Sequence, residues 1–430
     1  MSEVMTSAPS NSAMVFSTIS SMGPEDELCL LLARGRLTSE GRARALELLS
    51  TPLRWPVIME RARSHQVFPL VYRTLSDLGF SGVPEAIQSG LRNQYLANAL
   101  RNQLLAEELA RVLSLLGDAG IPVTPLKGVP LALSLFGDPA ARVCGDIDIL
   151  VPPADVVRAI DLILASGYRD EISHPYFSKL ALRHGRHFSV VRESQGISFV
   201  LEVHWILVQH SSKNAEAVRH LWAETRPQTF FEVPARSLSP EWEFLYLCMH
   251  AADHDWQVLK WLVDIHQIVL SGTVNWRKAM EEAERLELGP AIRQTLAVSS
   301  LLLGTPLPAD CSPAHLPERL HIFPQTPLLE DSPEATLAFR HLRVLTRSLD
   351  KLGYFATAVF APKLTDLEFV RFPPSLGFLY YLVRPVRLAC KWIFRLSAHV
   401  FQNRLMNVGK QREVAREGEA VKEGQRSDSA

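Results

Sequence analysis

The sequence predicts an α+β fold in which a small mixed β-sheet core is flanked by N- and C-terminal helical regions. Three observations predict it. Residues 25–118 repeat their apolar side chains with a helical period, alternating strand-like runs and helices follow to residue 235, and the helical period returns from Glu241 to about Leu303. The 430-residue chain has 47% apolar and 21% charged residues, which is typical of a globular protein with two or three domains.

The N-terminal helical region divides into three predicted helices. Residues 28–32 open an apolar helix, Trp55 leads into a second, and a long amphipathic third helix spans about 84–116. Gly117 and Gly120 follow this third helix and suit a helix C-cap. The sequence therefore predicts that the helical region ends near residue 118.

The strands of the core are predicted, in chain order, at residues 121–126, 146–151, 168–172, 187–192 and 197–205. Pro122 and Pro125 restrict the first of these to a sheet edge, because proline cannot donate a ladder hydrogen bond. The strongest strand signal is the strict alternation of Asp146–Val151. The last two strands flank Gly196 in the pattern of a hairpin.

The whole chain is predicted to consist of a disordered lead (1–24), a helical region (25–118), the α/β core (119–235), a second helical region (236–303), a proline-rich linker (304–335), C-terminal helices (336–407) and a disordered charged tail (408–430). The first residues lack a basic region and a continuous apolar stretch, so no secretory signal is expected. Five scattered cysteines without a C-x-x-C pair indicate a reducing compartment, which predicts a cytoplasmic protein.

Residues 376–405 are apolar and aromatic, with arginine and lysine interleaved. Two interpretations stay open. A basic amphipathic helix can lie on an anionic membrane, which would make the protein peripheral at the inner face. Alternatively the helix packs on the rest of the chain with its arginines solvated or paired. No run of about eighteen uncharged apolar residues occurs, so no transmembrane helix is predicted.

Two strands carry carboxylates that point to a metal site. Asp146 and Asp148 share one face of their strand, and Glu202 interrupts the apolar strand Phe199–Trp205. An unpartnered buried carboxylate is costly, and two carboxylates on one face repel unless a cation lies between them. If the two strands are neighbours, the three carboxylates form a site for Mg²⁺, which prefers oxygen ligands. The competing interpretation is a solvated strand edge.

Basic and small residues precede these carboxylates. Lys127 would neutralise a phosphate, and Gly128 would allow close approach of the backbone to it. Arg142 lies four residues before Asp146 and suits bidentate binding of phosphate. The alternative for Arg142 is a surface ion pair with Asp138 or Asp146.

Three further residues are candidates for contact with substrate. His204 shares the face of Glu202, where it would orient a carboxylate, touch substrate or serve as a structural histidine. His250 and Asp264 lie in the second helical region and would face the cleft. His250 and His254 also have the i, i+4 spacing of a metal pair, although packing within the helices is the simpler interpretation.

The basic residues around His187 have two interpretations. The segment contains Arg183, His184 and Arg186, and it would either meet phosphates or form a solvated loop. The solvated loop is the simpler prediction.

The segments Leu126–Gly128, Asp146–Val151 and Leu201–Trp205, together with Arg142, resemble the uncharacterised nucleotidyltransferase family of the DNA polymerase beta-like superfamily. The resemblance extends from about Trp55 to the region of Arg384-Pro385. It implies a minimal nucleotidyltransferase sheet in which Asp146, Asp148 and Glu202 hold two Mg²⁺ ions, or Mn²⁺. The chain departs from the superfamily at the phosphate turn, where Lys127-Gly128-Val129 replaces the usual Gly-Gly or Gly-Ser.

The expected reaction moves a nucleoside monophosphate from a nucleoside triphosphate, such as ATP, to an unidentified acceptor. Sugars, small metabolites, peptides and proteins all remain candidate acceptors. The net charge of −1 disfavours long RNA or DNA, which needs a basic track. Two alternatives stay open: a non-catalytic nucleotide-binding protein, and a membrane-surface accessory protein of cell-envelope or polysaccharide assembly.

Overall fold

A computed structural model describes residues 22–171, 182–183, 185–194, 196–207, 213–309 and 348–391. The chain divides into two units, a first that ends at Tyr354 and a second that begins at Phe355. The predicted charged tail, almost all of the predicted disordered lead and most of the proline-rich linker lie outside the described residues. The predicted domain boundaries stay predictions.

Among the described residues, five helices precede the sheet: Pro24–Ala33 (α1), Ser39–Leu49 (α2), Trp55–Ser64 (α3), Phe68–Asp77 (α4) and Glu85–Asp118 (α5). Helices α1, α3 and α5 correspond to the three predicted helices, and α2 and α4 lie between them. The side chain of Thr38 caps α2 by accepting a hydrogen bond from the Gly41 amide at 3.1 Å. After α5, Gly120 adopts φ +69°, a left-handed conformation that suits glycine.

The central sheet contains five strands: Thr124–Pro125 (β1), Ile147–Leu150 (β2), Arg169–Asp170 (β3), His187–Ser194 (β4) and Ile197–His204 (β5). Their order is β1-β2-β5-β4-β3, with β2 and β5 parallel and the other neighbours antiparallel. The predicted α+β fold with a mixed sheet is confirmed. Strand β1 contains Pro125 and lies at an edge of the sheet, as its prolines require.

The two faces of this sheet differ in chemistry because strand side chains alternate. On one face, Ile147 and Ile149 of β2 join Leu201 and Val203 of β5 in a core completed by α5 and by helix α7 (Val156–Ala165). The even-numbered residues of the same strands, which include Asp148, Glu202 and His204, lie on the opposite face. The apolar face therefore fixes the sheet against its helices and leaves the polar face for chemistry.

A second, two-stranded sheet is formed by Arg226–Phe230 (β6) and Val233–Ser237 (β7). Its turn residues Phe231 and Glu232 have φ angles of 49° and 67°, the positive pair that a two-residue type I′ hairpin requires. This hairpin is not predicted from the sequence, because its turn lacks the usual Asn-Gly or Asp-Gly. The Arg236 amide donates to the Val123 carbonyl at 2.9 Å and so ties the hairpin beside β1.

Further helices in the described part of the first unit are Gly128–Phe136 (α6), Asn214–Glu224 (α8), Pro240–Asp253 (α9), Leu259–Ser271 (α10), Trp276–Arg285 (α11) and Gly289–Leu303 (α12). Apolar residues of α9, α10 and α12 share a core with α1 to α4. Ser239 caps α9 by accepting a hydrogen bond from the Trp242 amide at 3.4 Å. This helical region holds α9 and α10 in place, and both helices contribute to the site described below.

The boundary between the two units falls within helix α13 (Ser348–Phe360), and the second unit continues with α14 (Leu364–Phe369) and a helical stretch at 380–391. Within this unit the buried Asp366 accepts hydrogen bonds from Arg384 and Arg387. Two arginines of the predicted membrane-contact segment are therefore paired with a carboxylate. No helix among the described residues is long and apolar enough to cross a membrane. Peripheral membrane contact through 376–405 stays a prediction, and residues 392–405 lie outside the described part.

Candidate active site

The parallel pairing of β2 with β5 brings the three predicted carboxylates together. Asp148 lies directly opposite Glu202 in the register, and Asp146 immediately precedes β2. One carboxylate oxygen from each of Asp146, Asp148 and Glu202 lies within 4.8 Å of the others. The condition on which the sequence prediction depended, that the two strands are neighbours, is met.

Lys127 and His204 partly compensate this negative charge. The Lys127 ammonium lies 3.1 Å from Asp148 Oδ1. His204 Nε2 lies 3.1 Å from the same oxygen and 3.2 Å from Glu202 Oε2, so the imidazole bridges the two carboxylates. Burial alone would raise the pKa of Asp148, but Lys127 and His204 outweigh it and hold that pKa below its usual range.

The compensation is incomplete. Asp148 Oδ2 is buried and has no hydrogen-bond partner in the described part of the chain. Burial raises the pKa of Asp146, and repulsion by Asp148 raises it further. Converging carboxylate oxygens with one orphaned buried acceptor are the donor set that a divalent cation such as Mg²⁺ would satisfy. The residues present therefore fit a metal ion.

The Lys127-Gly128 turn leads from β1 into α6. Gly128 is the first residue of α6 and has φ +70°, where a residue with a Cβ atom would be strained. The turn therefore requires glycine for its backbone conformation, and it places the N-terminus of α6 directly after Lys127. Contact of this turn with a phosphate stays a prediction.

Arg142 forms its ion pair with Asp264 of α10 rather than with Asp138 or Asp146. Its Nε lies 3.0 and 3.1 Å from the two carboxylate oxygens, and its Nη2 lies 2.9 Å from Oδ2. Both side chains are buried, at 4% and 1% exposure. The predicted roles of Arg142 towards phosphate and of Asp264 towards substrate stay predictions, and the geometry shows that each residue binds the other.

A cavity of about 320 Å³ opens over the carboxylates. Its lining residues come from the sheet, the turn and the helical region: Gln66, Lys127, Arg142, Gly145, Asp146, Asp148, Arg186, His187, Glu202, His204, Leu207, Tyr246, His250, Asp253, His254, Lys260 and Trp261. Basic groups, carboxylates and aromatic rings therefore face one space that is large enough for part of a nucleotide.

His250, His254 and Trp261 form an aromatic wall of this cavity. Their ring centroids lie 4.8 to 5.1 Å apart. Burial lowers the pKa of His250 well below its usual value and that of His254 to about 4, so both rings are neutral at pH 7. His250 thus lines the cavity, and its contact with substrate stays a prediction. Neither histidine belongs to a described group of three metal-binding side chains.

Several cavity residues were missed or misjudged from the sequence. Arg186 was expected in a solvated loop, but its side chain is 19% exposed and lies 2.5 Å from Asp253. Lys260 was not recognised at all. Its ammonium donates to the Val143 carbonyl at 3.0 Å and to the Gln66 side chain. Burial, followed by repulsion from Arg142, lowers the pKa of Lys260 to about 8. Only folding brings Lys260 near the carboxylates, so no local sequence signal marks it.

Comparison with known proteins agrees with this geometry. A family model described as "Uncharacterised nucleotidyltransferase" matches residues 51–304, more than half of the chain. The chain belongs to this family. The part of the chain that matches this nucleotidyltransferase family contains every residue that lines the cavity. The match ends before Arg384-Pro385, to which the resemblance had been expected to extend.

The crystal structure of an antigenic nucleotidyltransferase-like protein from Paracoccidioides brasiliensis is similar to part of the chain. The alignment has 14% sequence identity and a TM-score of 0.29, and it covers 44% of this chain and 92% of that one. No curated protein matches the chain.

Proposed function

We propose that this protein is an active, metal-dependent nucleotidyltransferase that moves a nucleoside monophosphate from a nucleoside triphosphate to an acceptor hydroxyl. The observation that supports the proposal is the in-register pairing of Asp148 with Glu202, which gathers three carboxylates, one of which carries a buried oxygen without a hydrogen-bond partner in the described part of the chain. Asp146, Asp148 and Glu202 would hold the metal ions. Such ions, Mg²⁺ or Mn²⁺, would stabilise the charge of the α-phosphate and of the departing pyrophosphate.

The chain's own residues supply the remaining parts of the reaction. The acceptor oxygen forms a bond to the α-phosphorus while the bond from that phosphorus to the β-phosphate oxygen breaks. Glu202 accepts the proton of the hydroxyl, and pyrophosphate leaves. The N-terminus of α6 and Lys127 bind the phosphates. Lys260 contributes a further positive charge, since it hydrogen-bonds only to neutral oxygens within the described part of the chain.

The aromatic wall offers a surface for the base. His250, His254 and Trp261 are neutral rings at one side of the cavity, and flat apolar faces of this kind stack on a nucleobase without requiring a particular base. Of the nucleotides, ATP is the first to test. The acceptor is a small molecule, a peptide or a protein side chain, since the near-neutral chain lacks the charge for long nucleic acid.

The proposal is tested by calorimetric titration of each nucleoside triphosphate with Mg²⁺ into the wild-type protein and the Asp146→Ala and Asp148→Ala variants. We expect metal-dependent binding that weakens by about a hundredfold or more in both variants, because loss of a residue that merely supports a metal ligand already weakens binding about 10- to 100-fold. Asp161→Ala, which removes an exposed carboxylate of α7, is the matched control.

Equal binding in the wild type and the Asp148→Ala variant would refute the assignment of the site. Turnover requires a second assay, the release of pyrophosphate in the presence of candidate acceptors. Tight nucleotide binding with no release for any acceptor class would favour the non-catalytic alternative.

A further inference from the structure

A second group of metal-binding side chains lies beside the three carboxylates. His187, Glu202 and His204 each offer a ligand atom within 4.8 Å of the others. The antiparallel register of β4 and β5 places His187 directly opposite His204, and their ring centroids are 5.0 Å apart. Glu202 lies two residues before His204 and therefore on the same face of β5.

The geometry of His204 suits a metal ligand. Its Nε2 lies 3.1 Å from Asp148 Oδ1 and 3.2 Å from Glu202 Oε2. These are hydrogen-bond distances, and they are also distances between neighbouring ligands of one ion, since two ligand atoms about 2.1 Å from an ion and at right angles are about 3 Å apart.

His187 adds a nitrogen that has no other assignment. Its Nδ1 is buried and lacks a hydrogen-bond partner within the described residues, and its Nε2 lies 3.8 Å from Glu202 Oε1, beyond hydrogen-bond reach. Within the described residues neither ring nitrogen has a hydrogen-bond partner, and Nε2, the nitrogen near Glu202, is the one that would bind a metal ion of this group. The two oxygens of Glu202 face different sides, with Oε2 towards His204 and Oε1 towards His187.

We propose that His187, Glu202 and His204 form a nitrogen-containing metal position that selects a transition-metal ion such as Zn²⁺, Co²⁺ or Mn²⁺, next to the all-oxygen position of Asp146, Asp148 and Glu202. Imidazole ligands suit such ions, whereas Mg²⁺ prefers oxygen. Glu202 belongs to both groups of side chains and would therefore contribute to both positions. The inference deepens the proposed function, because it assigns a class of metal to one side of the same site.

The first test is calorimetric titration of Zn²⁺ and of Co²⁺, without nucleotide, into metal-free protein. We expect His187→Ala to weaken binding of both ions about tenfold or more, since even supporting residues of a metal ligand contribute about that much. His187 is partly exposed, so its removal leaves the core intact. His220→Ala is the control, because His220 is a partly exposed histidine that does not line the cavity.

The second test needs no variant. Pulsed electron paramagnetic resonance of the wild-type protein loaded with Mn²⁺ is expected to show coupling to nitrogen that changes when the histidines carry ¹⁵N. Equal Zn²⁺ and Co²⁺ affinity in the wild type and His187→Ala, no binding of either ion to the wild type, or no nitrogen coupling would each overturn the proposal. These failures leave the proposed function standing if Mg²⁺-dependent nucleotide binding is still lost in Asp148→Ala.

Discussion

Two clusters of side chains in the first unit contain buried carboxylates. The clusters differ in how fully hydrogen bonds and ion pairs satisfy those carboxylates. Glu108 of α5 is 4% exposed and accepts hydrogen bonds from Arg111, Arg192 and the Tyr168 hydroxyl. In this cluster, one carboxylate pairs with two guanidinium groups. In the cavity, three carboxylates converge on Lys127 and His204, and Asp148 Oδ2 has no hydrogen-bond partner in the described part of the chain.

This difference in hydrogen bonding distinguishes a cluster with a structural role from a candidate binding site. A saturated carboxylate joins elements and has nothing left to bind, whereas a carboxylate group with excess charge and an orphaned oxygen is destabilising until a ligand arrives. Proteins commonly retain such unfavourable groups where function requires them. The contrast predicts that removing a carboxylate has opposite effects on the stability of the protein in the two clusters.

The largest expected effect on stability is that of Glu108→Ala. The substitution leaves two arginines and a tyrosine hydroxyl without their shared acceptor, so we expect the free energy of unfolding to fall by about 3 kcal/mol, the lower end for a broken buried ion pair because both arginines are partly exposed. Urea denaturation followed by circular dichroism measures the change. Glu107→Ala, on the exposed side of α5, is the control, and an equally small change in both variants would contradict the structural role.

A smaller effect, on nucleotide binding, is expected from the charge of Lys260. This residue is the cavity cation that hydrogen-bonds to neutral oxygens. Because its pKa is lowered to about 8, the ammonium is present at pH 7 and is lost as the pH rises through 8. Binding of a triphosphate that needs this charge should be constant below pH 8 and weaken above it, by about tenfold in all once the charge is lost. Nucleotide titrations from pH 7 to 9.5 measure this dependence.

Two substitutions distinguish the contribution of the charge of Lys260 to nucleotide binding from that of its side-chain shape. Lys260→Met should weaken nucleotide binding at pH 7 by about tenfold, the contribution of one charged hydrogen bond, and should remove the decline above pH 8. Lys260→Arg keeps a positive charge at every pH, so it should remove the decline while retaining most of the affinity. An unchanged decline in both variants would show that another group titrates.

The comparison also shows what the sequence could and could not predict. Strand alternation alone placed Asp148 and Glu202 on polar faces, and the apolar run around each residue made its strand recognisable. The partner of Arg142 could not be predicted, since Asp264 lies 122 residues further along and only the packing of α10 brings it near. Lys260 was missed for the same reason.

The hairpin β6–β7 shows a different limit. Its turn is formed by Phe231 and Glu232 in left-handed conformations that neither residue type favours. Tertiary contacts, such as the hydrogen bond from Arg236 to Val123, hold the turn against local preference. Prediction of a hairpin from the identity of its turn residues therefore fails for β6–β7, although it succeeds for the hairpin of β4 and β5 at Gly196.

The smallest expected effect is the one that most directly tests the contrast between the clusters. Asp146→Asn removes one of three converging charges from a position where burial and Asp148 both disfavour the ionised carboxylate. In metal-free protein we expect the variant to be more stable than the wild type by about 1 kcal/mol, because the relieved repulsion is partly screened by Lys127 and solvent. Thermal unfolding with a chelator at pH 7.5 measures the difference.

Addition of Mg²⁺ or Mn²⁺ should reverse the order of stability of the wild type and Asp146→Asn. A ligand that binds only the folded state at a hundred times its dissociation constant stabilises that state by about 2.7 kcal/mol, and Asp146→Asn should forfeit most of this gain. The wild type would then become the more stable protein, while Glu108→Ala would stay destabilised by the same amount with and without metal. Loss of stability in metal-free Asp146→Asn would mean that the three carboxylates are held together by contacts of the fold itself, as Glu108 is, and that the cluster does not require a cation.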